Sequence, residues 1–215
     1  MCASVFFPKL RKRMPCRFLS RLVTASAALL LISGCAVRQG LELPDISSWE
    51  ARESVLGALD DWEFSGRIGI SAGAEGFNGK LRWTQHEEEF RATISGPLGF
   101  GAVRIEGLGP TVVHTDKDGV RTVLNDAETE LRQLYGWTIP VKSLRYWALG
   151  LPDPSLPAET RLNADGQIEA LAQLDWTVEI SSYRKGGGQL MPKRLSAINA
   201  DTKVRLVIDH WIFPD

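Results

Sequence analysis

Few side chains of this sequence stand in an arrangement that would perform catalysis. The histidines, His86, His114 and His210, lie far apart, without a neighbouring histidine or cysteine at metal-ligand spacing. Residues 116–119, Asp-Lys-Asp-Gly, have the start of a calcium loop but lack the distal glutamate, which favours a hairpin turn. The sequence also lacks a Gly-x-Ser-x-Gly elbow and a glycine-rich phosphate loop. We therefore expect no enzymatic activity, no metal site and no cofactor.

Cys35 differs from these residues, because its surroundings predict a covalent modification. It ends the segment Leu-Ile-Ser-Gly-Cys, which follows a basic N-terminus and a short apolar stretch at 22–32. That order is typical of a secretory signal, and the last five residues resemble the bacterial lipobox. There the cysteine thiol takes a diacylglyceryl group, a peptidase cuts before the cysteine, and the new amino group is acylated. We predict that residues 1–34 are a removed signal peptide, starting at Met1 or Met14, and that Cys35 is lipidated; the alternative is an ordinary signal anchor with an incidental cysteine.

The predicted processing changes the composition of the chain. Cleavage leaves 181 residues, and because the signal holds six Lys and Arg and no acid, the net charge falls from −1 to −7. This charge argues against a nucleic-acid-binding protein. Cys2 and Cys16 are removed with the signal, so no disulfide forms within the mature chain. We expect a lipidated tether at 35–48, a single domain at 49–215 and a monomer.

The periodicity of the mature chain predicts a mainly β protein. Apolar and polar residues alternate through most of 62–124 and again through 176–208, as in an antiparallel meander with one apolar face. Three helices are expected, at 49–61, 127–135 and 141–149. Ser47 or Ser48 would cap the first helix, Asp126 and Gly136 would bound the second, and Pro140 and Gly150 the third. A sheet of this size either closes into a barrel or is covered by helices.

Two features leave alternatives open. All seven tryptophans lie in the mature chain, several on the apolar strand face, and they form either a filled aromatic core or the walls of an apolar cavity. The second feature is the loop Ser95-Gly-Pro-Leu-Gly-Phe-Gly101, where Leu98 and Phe100 are apolar although turn chemistry expects polar residues. They either fold back into the core or point outward as a membrane or partner contact.

Several blocks of this sequence resemble the LolB family of outer-membrane lipoprotein receptors. The order and spacing of these blocks carry the resemblance, which runs through most of the mature chain. The most specific one is Trp147-Ala-Leu-Gly-Leu-Pro152, which follows Ile139-Pro140. The other blocks are Trp62-Glu-Phe-Ser-Gly-Arg-Ile68, Trp83-Thr-Gln85, Gly96-Pro-Leu-Gly99, Gly136-Trp-Thr-Ile-Pro-Val141, Leu144-Arg-Tyr146, Trp176, Met191-Pro192 and Asp209-His-Trp211.

The resemblance implies an unclosed, half-formed antiparallel β-barrel with a lid of short helices enclosing an apolar cavity. It also implies a receptor that accepts acylated lipoproteins from a soluble, LolA-like periplasmic carrier and inserts them into the inner leaflet of the outer membrane. The loop of Pro97, Leu98, Gly99 and Phe100 would assist this insertion. Ala36, where an aspartate would favour the inner membrane, fits a periplasm-facing outer-membrane location. We assign the acyl-binding cavity to Trp62, Phe64, Trp83, Phe90, Ile94, Trp147 and Trp176.

Two competing functions are compatible with the same residues, and an unrecognised hydrolase comes last, because no nucleophile–base pair is recognisable. One is a lipid-anchored protein that binds other amphiphiles, such as free lipid or glycolipid. The other is a structural lipoprotein whose tryptophans fill a dry core. For the transfer function, we expect the helices at 127–135 and 141–149 to form the lid.

Overall fold

The computed structural model describes residues 41–96 and 102–214. The predicted lipidation site Cys35 and the loop residues Pro97, Leu98, Gly99 and Phe100 lie outside this part. The helices are α1 (Trp49–Gly57), α2 (Ala127–Tyr135) and α3 (Val141–Leu149). The strands are β1 (Asp61–Ala72), β2 (Glu75–His86), β3 (Glu89–Ser95), β4 (Val103–Leu108), β5 (Thr111–Thr115), β6 (Arg121–Leu124), β7 (Ala158–Leu162), β8 (Ile168–Gln173), β9 (Trp176–Gly186), β10 (Gln189–Ile198) and β11 (Lys203–Ile212).

All eleven strands form one antiparallel sheet in the order β6-β5-β4-β3-β2-β1-β11-β10-β9-β8-β7. Two meanders therefore meet at the centre, where β1 pairs with β11 and Ile68 lies opposite Leu206. A bulge at Ser65 and Gly66 interrupts this central ladder. Among the described strands, no pairing joins β6 to β7, so the sheet is not closed. The predicted fold class, a mainly β protein with an unclosed antiparallel sheet and short helices, is confirmed.

The strands bury one face, which is the period-two pattern that the sequence predicts. In β1 the side chains of Trp62, Phe64, Ile68 and Ile70 are buried, whereas Arg67 between them is exposed. The buried residues of the strands and of α3 belong to one hydrophobic core. We call the buried side of the sheet the inner face and the other side the outer face.

The helix ends follow local capping chemistry. The Asp126 carboxylate accepts a hydrogen bond from the Thr129 N–H at 3.1 Å, and Gly136 ends α2 in the left-handed region at φ 75°. Gly150 ends α3 in the same way, so the predicted ranges of α2 and α3 agree with the structure. Helix α1 ends at Gly57 and not at residue 61, because Asp61 already pairs in β1.

Residues 41–48 pack on the sheet although they lie in the range predicted as a tether. Leu43 and Ile46 are buried. The Leu41 N–H donates to the Phe213 carbonyl, and the Leu43 N–H to the Gly187 carbonyl, both at 2.8 Å. The packed domain therefore includes these residues. Within the described ranges, no helix has the length and apolar character needed to span a bilayer.

Candidate functional site

Four aromatic side chains form a continuous row on the inner face of β1, β2 and β3. The rings of Trp62 and Trp83 lie 6.2 Å apart with planes 5° from parallel, and those of Trp83 and Phe90 lie 4.8 Å apart at 12°. Phe64 stacks on both tryptophans at 6.1 Å. Residues two apart on a strand face the same side and residues opposite each other on paired strands are neighbours, so the alternation produces this row. The aromatic row thus presents one continuous set of stacked rings on the inner face.

Trp147 and Trp176, which are also among the predicted cavity residues, form a second aromatic group. Their rings lie 6.2 Å apart and tilted by 56°, with Trp147 on α3 and Trp176 on β9. The Trp147 indole N–H donates to Gln173 Oε1 at 2.9 Å. The Gln173 amide in turn donates to the Asp153 carbonyl at 2.8 Å. This network fixes α3 on the sheet, because each of these buried polar groups has a partner.

The structure brings five of the seven predicted cavity residues onto neighbouring strands. Ile94 extends the inner face of β3 beyond the aromatic row and is buried. No ring contact is described between the aromatic row and the Trp147–Trp176 pair. All seven predicted residues are at most 6% exposed, so the inner face is covered in this conformation. Their role in binding acyl chains stays a prediction.

Trp211 and Phe213 also belong to this aromatic surface, although they were not assigned to the site. The Trp211 ring lies 5.4 Å from Phe64 and 5.9 Å from Trp62, and the Phe213 ring stacks on Trp211 at 5.8 Å. Pairing of β1 with β11 brings them there. The sequence shows an aromatic residue near the C-terminus but not which strand it pairs with.

Helix α2 covers the inner face through few apolar contacts. Its one fully buried side chain is Leu131, and Leu134 is 56% exposed. Polar contacts complete its attachment. Tyr135 Oη lies 2.6 Å from His114 Nε2 on β5, and Arg132 lies 3.4 Å from Asp201 in the turn before β11. Burial lowers the pKa of His114, with the nearby Asp116 carboxylate opposing the shift.

Helix α3 is buried along most of its length. Six of its nine residues are buried, and Trp147 and Ala148 have no exposed surface. Its less buried side carries Arg145, whose side chain is 16% exposed and lies 3.2 Å from Glu88 in the turn between β2 and β3. Helix α3 is therefore part of the core, whereas α2 lies on it.

Helix α1 is held by a buried cation that the sequence does not assign to the core. Arg52 is 1% exposed and donates to the Leu190 carbonyl at 2.8 Å. Its guanidinium lies over the Tyr183 ring, 5.4 Å from the centroid. Burial lowers the pKa of Arg52 and raises that of Tyr183. Arg52 thus attaches α1 and residues 41–48 to β9 and β10.

A depression of 570 Å³ lies where α2 and α3 meet the sheet edge at β5 and β6. Val112, Leu124 and Val141 supply apolar surface to its wall and are themselves almost completely buried. Its rim is polar and includes Glu128. The pKa of Glu128 is raised, mainly by burial and then by the neighbouring carboxylates of Asp175 and Asp126. The depression therefore combines a few apolar side chains with a mostly polar lining.

The fold of this chain is similar to that of a solved LolA superfamily protein from Nitrosomonas europaea. The two structures superpose with a TM-score of 0.50 over 74% of this chain and 88% of that chain. They share 9% sequence identity, so the likeness concerns the fold alone. The chain therefore has a fold like that of this solved LolA superfamily protein.

Sequence comparison narrows this class to a family. The family model "Outer membrane lipoprotein LolB" matches residues 60–211. An outer-membrane lipoprotein LolB from Pseudomonas paraeruginosa is 34% identical over 195 residues, covering 89% of this chain and 95% of that protein. An outer-membrane lipoprotein LolB from Nitrosococcus oceani is 34% identical over 194 residues, covering 89% of this chain and 96% of that protein. The chain belongs to the LolB family, and it is accordingly an outer-membrane lipoprotein of the lipoprotein-sorting pathway.

Proposed function

We propose that this protein receives acylated lipoproteins from a LolA-like periplasmic carrier and passes them to the inner leaflet of the outer membrane. It would act as a transfer protein and not as an enzyme, anchored through lipid on Cys35. The observation that carries this proposal is the aromatic inner face, which belongs to the same core as Leu131, the one fully buried side chain of α2. Such a face offers acyl chains an apolar surface once the helix moves away.

The energetics favour transfer between apolar environments. Burying one methylene group is worth about 0.8 kcal/mol, so exposing several acyl chains to water would cost tens of kcal/mol. A receptor that accepts the chains directly onto its own apolar surface avoids this cost. The aromatic row supplies such a surface, and Trp83 with Phe90 forms its closest stack.

Helix α2 has the features of a movable lid. Its ends are locally satisfied by Asp126 and Gly136, so the helix keeps its internal hydrogen bonds when it moves as a unit, whereas the bond from the Thr138 hydroxyl to the Glu128 carbonyl would break. Residues 137–140 behind Gly136 are buried and would remain fixed. We therefore assign the lid motion to α2, with Gly136 as hinge, and assign α3 to the fixed core. This narrows the expectation that both helices form the lid.

The depression between α2, α3 and the strands β5 and β6 is the proposed entrance for acyl chains. Moving α2 outward would widen it, because Ala127 and Thr129 of α2 form part of its wall. The apolar residues Val112, Leu124 and Val141 would then lead from the rim toward the inner face.

The lid assignment is tested by tying α2 to the sheet. Arg132→Cys with Asp201→Cys replaces an exposed ion pair, and a short cleavable bis-maleimide would join the two thiols. We expect the joined protein to lose acceptance of a lipidated cargo from the carrier and to regain it when the linker is cleaved. Acceptance unchanged by the linker would contradict the lid motion of α2.

Arg145→Cys with Glu88→Cys is the matched control. This pair also joins a helix to a turn across an ion pair, at 3.2 Å against 3.4 Å, although the Arg145 side chain is 16% exposed and that of Arg132 is 52% exposed. Because α3 belongs to the fixed core, the linker is expected to leave acceptance intact. Equal loss in both proteins would show that linking alone impairs the receptor. Acceptance of free fatty acid with refusal of lipidated cargo, before linking, would favour a general amphiphile-binding protein.

A further inference from the structure

The outer face of the sheet carries a concentration of positive charge at its centre. Two adjoining grooves, of 620 and 800 Å³, share Arg67 and Lys80 in their walls. We call these two together the basic groove. Its charged lining consists of five cations and one carboxylate, with a histidine: Arg67, Lys80, Arg82, Arg184, Arg205, Asp209 and His210.

The charge of this groove is largely uncompensated. Arg67 pairs with Asp209 at 3.0 Å. Lys80, Arg82 and Arg205 are exposed, and each lacks an ion pair to any acidic residue of the described ranges. The predicted mature chain has a net charge of −7. Like charges that lie side by side on one face repel each other. Their grouping on a protein of negative net charge therefore needs an explanation.

Alternation and sheet order together place the cations side by side. Arg67 lies opposite Lys80 on β2 and opposite Val207 on β11, next to the outward-facing Arg205. Gly69 opens the groove floor, because a side chain there would meet the Asn78 amide at 2.9 Å. Three cations and a missing side chain thus form a shallow anion-binding surface.

The two ends of the basic groove adjoin the points where the chain leaves the described domain. At one end Asp209 and His210 line it, and β11 runs on to Phe213, whose carbonyl binds the Leu41 N–H. Cys35 precedes Leu41 by six residues, which span at most about 20 Å. At the other end Gly96 lines the groove and is joined directly to Pro97 of the predicted membrane loop.

We infer that the basic groove binds the anionic phospholipid headgroups of the membrane that carries the anchor. This inference rests on the lipid anchor of the proposed function, but not on the carrier or the cargo. It orients the protein with its outer face on the bilayer and with α2 facing away. Each Lys or Arg near an anionic surface strengthens binding by roughly fivefold, so several cations fix an orientation that a single flexible tether leaves free.

The test measures this orientation in the full lipidated protein without carrier or cargo. A nitroxide on Ser71→Cys reports on the groove, which Ser71 lines. A nitroxide on Leu134→Cys reports on the exposed surface of α2. The probes are compared in vesicles of phosphatidylcholine and of phosphatidylcholine with phosphatidylglycerol, using a water-soluble nickel complex as collision partner. We expect the anionic vesicles to protect position 71 several-fold, to leave position 134 accessible, and to lose this effect in high salt.

Two charge-matched variants separate the groove from net charge. Lys80→Glu with Arg205→Glu should abolish the protection of position 71, whereas Lys117→Glu with Arg161→Glu, both away from the groove, should retain it. Equal accessibility of position 71 on both vesicle types would overturn the inference. Protection on neutral vesicles only after carrier is added would overturn it in favour of a protein partner. A lipidated chain that does not float with vesicles would overturn the anchor and the inference together.

Discussion

Helices α2 and α3 have nine residues each and lie next to each other in the chain, yet they are attached to the sheet differently. Six residues of α3 are buried, against one in α2. The indole of Trp147 is fixed by a buried amide network. Helix α2 is held by buried Leu131, the partly buried Ala127 and Tyr135, and three polar contacts, to His114, Thr138 and Asp201. Local unfolding and opening occur where few apolar contacts must be broken. Two neighbouring helices can therefore divide the work, one supporting the core and one opening.

The largest difference in stability between the two helices is expected from shortening a side chain at the centre of α3. Trp147→Ala removes a ring with no exposed surface and takes the indole donor from Gln173. We expect a loss of about 3–5 kcal/mol in the free energy of unfolding, measured by urea denaturation. Leu134→Ala on α2, where the side chain is 56% exposed, is the counterpart and should change stability by less than about 0.5 kcal/mol. Similar losses in both variants would remove the distinction between the helices.

Acid is expected to loosen α2 before it affects α3. Burial lowers the pKa of His114 in the folded state below its ordinary 6.5. The unfolded or undocked chain therefore binds the proton more readily, and the stabilisation present above pH 6.5 is lost as the pH falls below it. The slope is at most about 1.4 kcal/mol per pH unit for one group. Amide exchange at pH 7.5 and 5.5, corrected for the slower intrinsic exchange at the lower pH, should show smaller protection factors in α2 at pH 5.5.

His114→Gln is the control for this pH dependence. The variant lacks the titrating ring, so the difference between the α2 protection factors at the two pH values should shrink. Because other groups titrate in the same interval, the comparison is between wild type and variant and not between pH values alone. An unchanged difference would assign the effect to groups other than His114.

The smallest effect is expected from the ion pair of α2. Arg132 and Asp201 are 52% and 68% exposed, so water and salt screen their attraction. Asp201→Ala should cost less than about 1 kcal/mol and should speed exchange in α2 slightly, an effect that high salt removes. A loss of several kcal/mol would mean that α2 is held mainly by this contact.

Local chemistry explains which elements the sequence predicts well. Asp126, Gly136 and Gly150 set the ends of α2 and α3 through contacts a few residues away, and both ranges agree with the structure. The alternation of apolar and polar residues does not identify strand β7, because all of its residues are exposed. Packing of residues 41–48 is also missed, since their partners are Phe213 and Gly187 at the far end of the chain.

In the candidate site, too, the sequence predicts what depends on nearby residues and misses what depends on strands far apart in the chain. Alternation identifies Trp62, Phe64, Trp83 and Phe90 as one apolar face, and they stack as a row. The family resemblance is confirmed by the match at 60–211. The contributions of β11, both Trp211 on the inner side and Arg205 on the outer side, depend on strand order. Periodicity gives the face of a residue but not its neighbour across the sheet.

The pairing of β1 with β11 has a consequence for how the protein folds. Each meander consists of hairpins between strands adjacent in sequence, which form quickly. The central ladder instead joins Ile68 to Leu206, across nearly the whole domain, so its closure waits until the C-terminal strand has emerged from translocation. Until then two strand edges face each other unpaired, and each is a template for aggregation. Strand β11 is thus the strand that joins the two meanders. A chain shortened at its C-terminus would retain hairpins of both meanders without the pairing of β1 with β11 that connects them.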